Sequence, residues 1–490
     1  MNFVKIKSLL LKERVVIGLM IFIGLTFLLT WHGHFAGYEK ETWQSAENWL
    51  HGQYEARRGG LVAVLLYVPF VVVARVLPFL HSERFFSLVP VVYSTIQVAI
   101  LFYVARKCGA SEKVAAGWTV LVTLVSGMWA YSSAGMEYQA GLFLAVVLLA
   151  LLKWSEQPRA AWWPSVAMTA LLATKSYMVL IGLPYVVCLY LGWKKINQSR
   201  QFWSFKFLLS AGLVPVLGLI LSIGLNWYLF GRLSGSYSLS NEFQIAQWWE
   251  GFYGLFFSPG KNVFLYAPLL IATLWLWPRW SRLHLQATVF IFGSLIMIAL
   301  VNLPFTYWTD ETWGPRKFVP ILPLLHLPLL LVFSEWTQKK LMVKAAIVII
   351  TFVALWVNFL GAAYDYGRLL SVAHAAKLDS LATMRYLPEW SHPFVFNDLL
   401  RSYVGRHRDR PIIKEYREST WFRWVRPGGY DIILREVRLD LSQFDQPSII
   451  WLQPGWRYRV TGGVLLGVWV ISGMALYFLI KKPYGPKEKS

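Results

Sequence analysis

Between residues 114 and 152 the chain carries one charge, Glu137, set in Ser132-Ser133-Ala134-Gly135-Met136-Glu137-Tyr138-Gln139. A second acidic group, Glu39, Glu41 and Glu47, follows directly on the first apolar run. A carboxylate is costly to hold at a membrane-embedded segment, so one found there marks a functional site. Its natural task is to take a proton from a hydroxyl. Three cations stand in comparable places: Lys175 in Ala173-Thr174-Lys175, Lys261 in Ser258-Pro259-Gly260-Lys261, and Arg316 in Trp313-Gly314-Pro315-Arg316. Fixed positive charge stabilises a departing anion, and the guanidinium adds a two-pronged donor geometry.

The elements that must position these groups are membrane helices. The 490 residues are 56% hydrophobic and 15% charged, too apolar for a soluble enzyme. Uncharged runs recur at 86–104, 114–136, 138–152, 176–193, 207–231, 262–278, 283–309, 318–334, 345–364 and 461–480. Many reach the roughly 18–20 residues that cross a hydrocarbon core as a helix. Backbone groups in lipid must be satisfied internally, which leaves helices or closed barrels, and continuous apolar runs do not alternate as barrel strands do. The expected fold is an all-α polytopic membrane protein of about 12–13 apolar helices.

Basic residues flank the spans on one side: Lys5, Lys7, Lys12 and Arg14 before the first, Lys194, Lys195, Arg200 and Lys206 in a linker, Lys481 and Lys482 after the last. That is the positive-inside pattern. It places both ends of the chain on the cytoplasmic side, and Glu137, Glu39, Lys175, Lys261 and Arg316 on the other. It also accounts for the net charge of +21 without nucleic-acid binding. The front half leaves a parity problem. Segments 15–30, 61–80, 86–105 and 114–132 cannot all cross if Glu137 is outside, and 61–80, with Arg75 and two prolines, is the candidate for an interfacial or re-entrant course.

Residues 1–360 read as a multi-span module with an exterior loop at 31–60, 361–459 as a small exterior domain of mixed α/β structure, and 460–490 as the last span with a basic tail. Within the first loop, Trp43, Ala46, Trp49 and Leu50 recur at helical spacing, as in a helix lying on the membrane surface. In the exterior domain Ile432, Leu434, Val437, Leu439 and Leu441 alternate in part, which suggests strands. The first span lacks a small-residue cleavage site and reads as uncleaved. Cys108 and Cys188 imply no disulfide framework, and no metal-ligand spacing occurs among the histidines.

Taken in order, these motifs resemble the C-type (GT-C) membrane glycosyltransferases, which include protein O-mannosyltransferases and lipid A aminoarabinose transferases. The likeness rests on an acid just after span one and the ending Ala46-Glu47-Asn48-Trp49-Leu50-His51-Gly52. It extends through the second acid Glu137, Thr174-Lys175, Phe257-Ser258-Pro259-Gly260-Lys261-Asn262 with Tyr266-Ala267-Pro268, Trp313-Gly314-Pro315-Arg316-Lys317-Phe318-Val319-Pro320, and Leu387-Pro388-Glu389-Trp390-Ser391-His392-Pro393. The family's usual Asp-Glu pair after span one stands here as Tyr38-Glu39, and its second Asp as Glu137.

The resemblance implies an inverting, metal- and cofactor-independent transfer of a sugar from a polyprenyl-phosphate donor to a cell-envelope acceptor, at the outer face of the cytoplasmic membrane. The partners are then the polyprenyl-phosphate-linked sugar, the acceptor glycan, lipid or protein, and membrane lipid. Glu39, Glu41 and Glu137 are the candidate catalytic acids, the base being Glu39 or Glu41. Lys175, Lys261 and Arg316 are the candidate phosphate ligands. Tyr38, Trp43, His51 and Trp313 are candidate substrate contacts. A transporter or flippase for a lipid-linked glycan, and an envelope-glycan polymerase of another family, are the rival readings.

Overall fold

The computed structural model describes residues 13–35, 39–53, 61–132, 137–156, 162–196, 212, 214–230, 248–258, 260–304, 312–367, 371, 391–404, 409–412, 437–440, 446–452 and 456–481. In chain order the principal helices are α1 (Arg14–Leu29), α2 (Glu39–Leu50), α3 (Leu61–Val76), α4 (Val89–Lys107), α5 (Glu112–Val125), α6 (Glu137–Glu156) and α7 (Trp162–Leu172). They continue as α8 (Gly182–Ile196), α9 (Val214–Phe230), α10 (Leu285–Asn302), α11 (Leu341–Ala363), α12 (His392–Tyr403) and α13 (Trp456–Lys481). Among the described residues five helical stretches are long and apolar enough to cross a membrane: Glu83–Lys107, Glu137–Trp154, Leu285–Asn302, Leu341–Ala363 and Arg459–Lys481.

Helix α6 is the best enclosed of these, packed by α4, α7 and α8, whereas α13 leans on α1 and leaves Val464, Ile471 and Phe478 exposed. An apolar helix face of that kind is unfavourable in water and suits lipid. The chain is a multi-pass membrane protein.

Several of the apolar runs are not continuous helices. The 262–278 run is broken into turns at Val263–Tyr266, Leu269–Leu274 and Trp277–Leu283, and the 318–334 run into Leu322–Leu325 and Leu329–Ser334. Pro268, Pro278, Pro323 and Pro328 stand at these breaks, where proline withdraws a donor and clashes with the preceding turn. After α5 the chain also breaks at Gly127, whose φ is +81°. The buried Asn358 side chain satisfies that break: it accepts from the Gly127 amide at 2.8 Å and donates toward the carbonyls of Val125 and Tyr266.

Helix α3 is tied at both ends to the elements around Glu137 and α2. At its start the Val62 amide faces the Ala173 carbonyl at 3.5 Å, beside the Thr174-Lys175 tip. Just past its end, His81 Nε2 contacts Glu47 of α2 at 2.5 Å. The start of α3 thus meets the Thr174-Lys175 tip, and the segment past its end meets α2. Its outward face, with Leu65, Val72, Val73 and Val76, is exposed and apolar. Residues Ala46, Val64, Tyr67, Val71, Ala74, Phe86, Val89 and Tyr138 form a second core that joins α2 and α3 to α4 and α6.

Of the exterior domain expected over 361–459, the described residues contain α12 and a two-stranded antiparallel ladder, β1 (Asp409–Ile412) with β2 (Val437–Asp440). Val437 and Leu439 of the alternating stretch are in β2, while Ile432, Leu434 and Leu441 lie outside the described residues.

Candidate functional site

Glu39 and Glu137 are each the first residue of a helix, α2 and α6, and each is buried. The positive end of a helix dipole favours a carboxylate in that position. The two are linked through phenols. Tyr138 follows Glu137 in the chain, it shares a buried core with Tyr67 of α3, and the Glu39 charge acts on both. Gln139 donates to the Tyr138 oxygen at 3.2 Å, and the Tyr93 ring stacks on Tyr138 with centroids 6.2 Å apart. The loop acid and the hairpin acid therefore share one buried polar layer.

Two of the three cations meet on Glu137. Its Oε1 accepts from Lys175 Nζ at 3.0 Å and from Arg316 Nε at 2.6 Å. The carboxylate is 1% exposed, against 20% for Lys175 and 15% for Arg316. Among the described residues the cluster holds one negative and two positive charges. Buried carboxylates need such partners, since an unpaired one costs several kcal/mol (about 3–5 when one member of a buried pair is removed).

The chain around each cation is shaped for delivery. Thr174 Oγ1 closes the end of α7 by donating to the Leu171 carbonyl at 2.6 Å, so the chain turns and Lys175 reaches back to α6. Gly314 has a φ of +57°, and a Cβ there would meet the Tyr266 ring at 2.8 Å. Only glycine suits that close, left-handed turn, and it aims Arg316 at Glu137. The preceding strand of chain is held by Tyr131, whose hydroxyl donates to the Trp313 carbonyl at 2.6 Å. Lys261 braces the same stretch: its ammonium donates to the Thr312 carbonyl, and the side chain is buried. Ser258 accepts from the Lys261 amide at 3.0 Å, and Tyr266 donates to the Gly260 carbonyl at 3.0 Å, which accounts for the spacing of that motif.

A narrow cavity opens beside Glu137, lined by Ser94, Gln97, Tyr131, Tyr138 and Pro320. The remaining sequence candidates divide. Glu41 is part-exposed on α2, with its carbonyl accepting from Ser45 at 2.9 Å. Tyr38 lies outside the described residues.

Three expected contacts read differently in the structure. Trp313 is buried between Tyr266, His392 and Phe396, with Gly361 directly against it, and offers no open ring face to a sugar. Trp43 stacks on Phe86 at 4.7 Å and on Phe35 at 5.5 Å, fastening α2 to the start of the next long helix. His51 is exposed beyond the far end of α2, roughly 18 Å from Glu39 by helix rise. Tyr67, Tyr131 and Tyr138 were missed in the sequence because tyrosines in an apolar chain look like interfacial anchors. The signal that singles out Tyr138 is its place next to a lone acid.

No family model matches the chain, and no curated protein does either. Among solved structures the chain is similar to ArnT from Cupriavidus metallidurans bound to undecaprenyl phosphate. The TM-score is 0.46 and the identity 14%, over 78% of this chain and 74% of that one. That likeness supplies no residue correspondence, and the roles below follow from the residues of this chain.

Proposed function

We propose that the protein is a membrane glycosyltransferase of the C type, which moves a sugar from a polyprenyl-phosphate donor to a cell-envelope acceptor at the outer face of the cytoplasmic membrane. The observation that carries this is the layer itself: two buried carboxylates, Glu39 and Glu137, with Lys175 and Arg316 gathered on the second. The donor's leaving group is a phosphate, so its departure needs fixed positive charge. Arg316 and Lys175 supply it, and Glu137 holds them in place until the donor arrives. Glu137 Oε1 already accepts from two cations, which suits it to orientation rather than to proton transfer. Glu39 is left as the base that takes the acceptor proton. Lys261 acts on the phosphate site through the 312–316 stretch it braces.

A transporter reading draws on the broken helices at 263–283 and 318–334. Against it, the charged groups of the buried cluster lie in one layer at helix ends, where a reaction with an extracytoplasmic acceptor needs them. The test is transfer by purified protein from polyprenyl-phosphate-linked sugars. Glu39→Gln keeps shape and hydrogen bonding but not basicity, and loss of a general base costs about 10²–10⁴ in rate. Glu41→Gln retains transfer. Reversal of the two results moves the base to Glu41, full activity of both variants removes the base role from both, and absence of transfer by the parent removes the enzyme reading.

A further inference from the structure

Three separated stretches meet where the first span emerges. Ile450 donates its amide to the Trp31 carbonyl at 3.0 Å, Ser448 donates to the Ala363 carbonyl at 2.9 Å, and His32 Nε2 lies 3.0 Å from the Ala362 carbonyl. Gly33 has a φ of +74°, and a Cβ there would strike Ile450 at 2.4 Å. This junction ties the end of α1, the end of α11 and the segment leading into α13.

His34 is its ionic member. The ring places Nδ1 3.1 Å from the His32 carbonyl and Nε2 3.0 Å from Asp365 Oδ2. A carbonyl and a carboxylate oxygen only accept, so both ring nitrogens must carry protons, and His34 is an imidazolium here. Asp365 is itself fixed: Oδ1 accepts from the Gly367 amide at 3.0 Å, and its own amide donates to Ser448 Oγ at 3.0 Å. The next residue, Phe35, donates its amide to Glu83 Oε1 at 3.0 Å and stacks on Trp43 of α2. Glu39 follows five residues after His34, within roughly 17 Å at full extension.

We infer that His34, held as an imidazolium between the His32 carbonyl and Asp365, is a positioning residue for Glu39, fixing the stretch that leads into α2. The inference rests on the transferase reading for its catalytic consequence, but the latch itself does not. Among the described residues the charged groups facing His34 are Asp365 after α11 and Glu83 before α4, with His32 stacked on it at 5.7 Å. The hydrogen bond to Asp365 raises the His34 pKa above its ordinary 6.5 against the opposing effect of burial. Burial works against the Asp365 carboxylate as well, yet the bond from His34 holds its pKa below the usual value. The latch is therefore lost as pH rises through the raised histidine value and, at the acid end, as pH falls through the lowered Asp365 value; between the two it is present. Neutral His34 has one N–H and can satisfy only one of its two acceptors.

Hydrogen exchange of the full protein in detergent or nanodiscs, read peptide by peptide against the parent at each pH, tests this. Asp365→Asn removes the charge that favours the imidazolium, and His34→Gln removes titration altogether. Both variants are expected to exchange about tenfold faster than the parent over 31–50 near pH 6, with α10 unchanged and the ratio falling toward one at alkaline pH. In transfer assays the alkaline limb of the parent's rate profile moves to lower pH in Asp365→Asn. Unchanged exchange over 31–50 in both variants at every pH overturns the latch. So does loss of protection throughout α10 and α11, which would make the pair a fold clamp. If exchange behaves as expected and the protein transfers no sugar, the latch stands and the transferase reading fails.

Discussion

Two clusters in this protein have the same composition, one glutamate with one lysine and one arginine, and opposite surroundings. Glu137 with Lys175 and Arg316 is buried where three separate hairpins meet. Glu335 with Arg279 and Lys339 sits at the surface, its side chain 25% exposed, with one cation from the next turn of chain. The exposed cluster is screened by solvent, so it contributes little. The buried one is desolvated, so each member depends on the others. What distinguishes a site from a boundary marker here is burial and convergence, since residue type is the same in both.

The comparison is most sharply tested by neutralising each glutamate in turn. Glu137→Gln leaves two cations in the buried layer without their counter-charge, which costs about 3–5 kcal/mol. Transfer by that variant is expected to fall at least 10²-fold and the melting temperature to drop. Glu335→Gln leaves transfer unchanged and lowers the melting temperature only slightly. Equal effects in thermal melts and transfer assays would erase the distinction.

Smaller effects follow from the arginines. Arg316→Ala removes a charge-assisted hydrogen bond worth about 1.5–3 kcal/mol, or roughly 10–100-fold in donor use, and Arg279→Ala has no effect on transfer. Arg316→Lys recovers only part, because the planar fork is gone. Steady-state rates against donor concentration separate the three.

Acid titration gives a weaker but directional contrast. Hydrogen bonds from Arg279 and then Lys339 hold Glu335 at a pKa of about 2. A lowered carboxylate pKa means that its stabilisation is present above the ordinary 4.5 and is lost as pH falls toward about 2. The small difference in melting temperature between the parent and Glu335→Gln should therefore vanish only in strong acid. The smallest effect is expected at His51, exposed beyond the end of α2: His51→Ala leaves transfer unchanged.

The sequence displayed the membrane class and the acids and cations of the site because lone charges stand out in apolar runs. It displayed Gly314-Pro315-Arg316 for a related reason: a left-handed turn against Tyr266 restricts residue choice. It concealed what depends on partners far along the chain. Glu137 and Arg316 are 179 positions apart, and nothing local says that one serves the other. Trp313 looked like a sugar platform because an outer-loop tryptophan and a core tryptophan are the same residue until Gly361 and Phe396 are placed against it. The breaks at Pro268 and Pro323 lay in plain sight, but hydropathy averages over them. Charge alone also gave no sign that Ala173 and Glu47 would meet the two ends of α3.

Polyprenyl phosphate binding measures most directly whether the buried cluster is a phosphate site. Purified parent, Arg316→Ala and Arg279→Ala proteins in nanodiscs would be titrated with a short-chain polyprenyl phosphate. The account predicts that the parent and Arg279→Ala bind alike and that Arg316→Ala binds at least about tenfold more weakly. Equal binding by all three, or loss confined to Arg279→Ala, would contradict it.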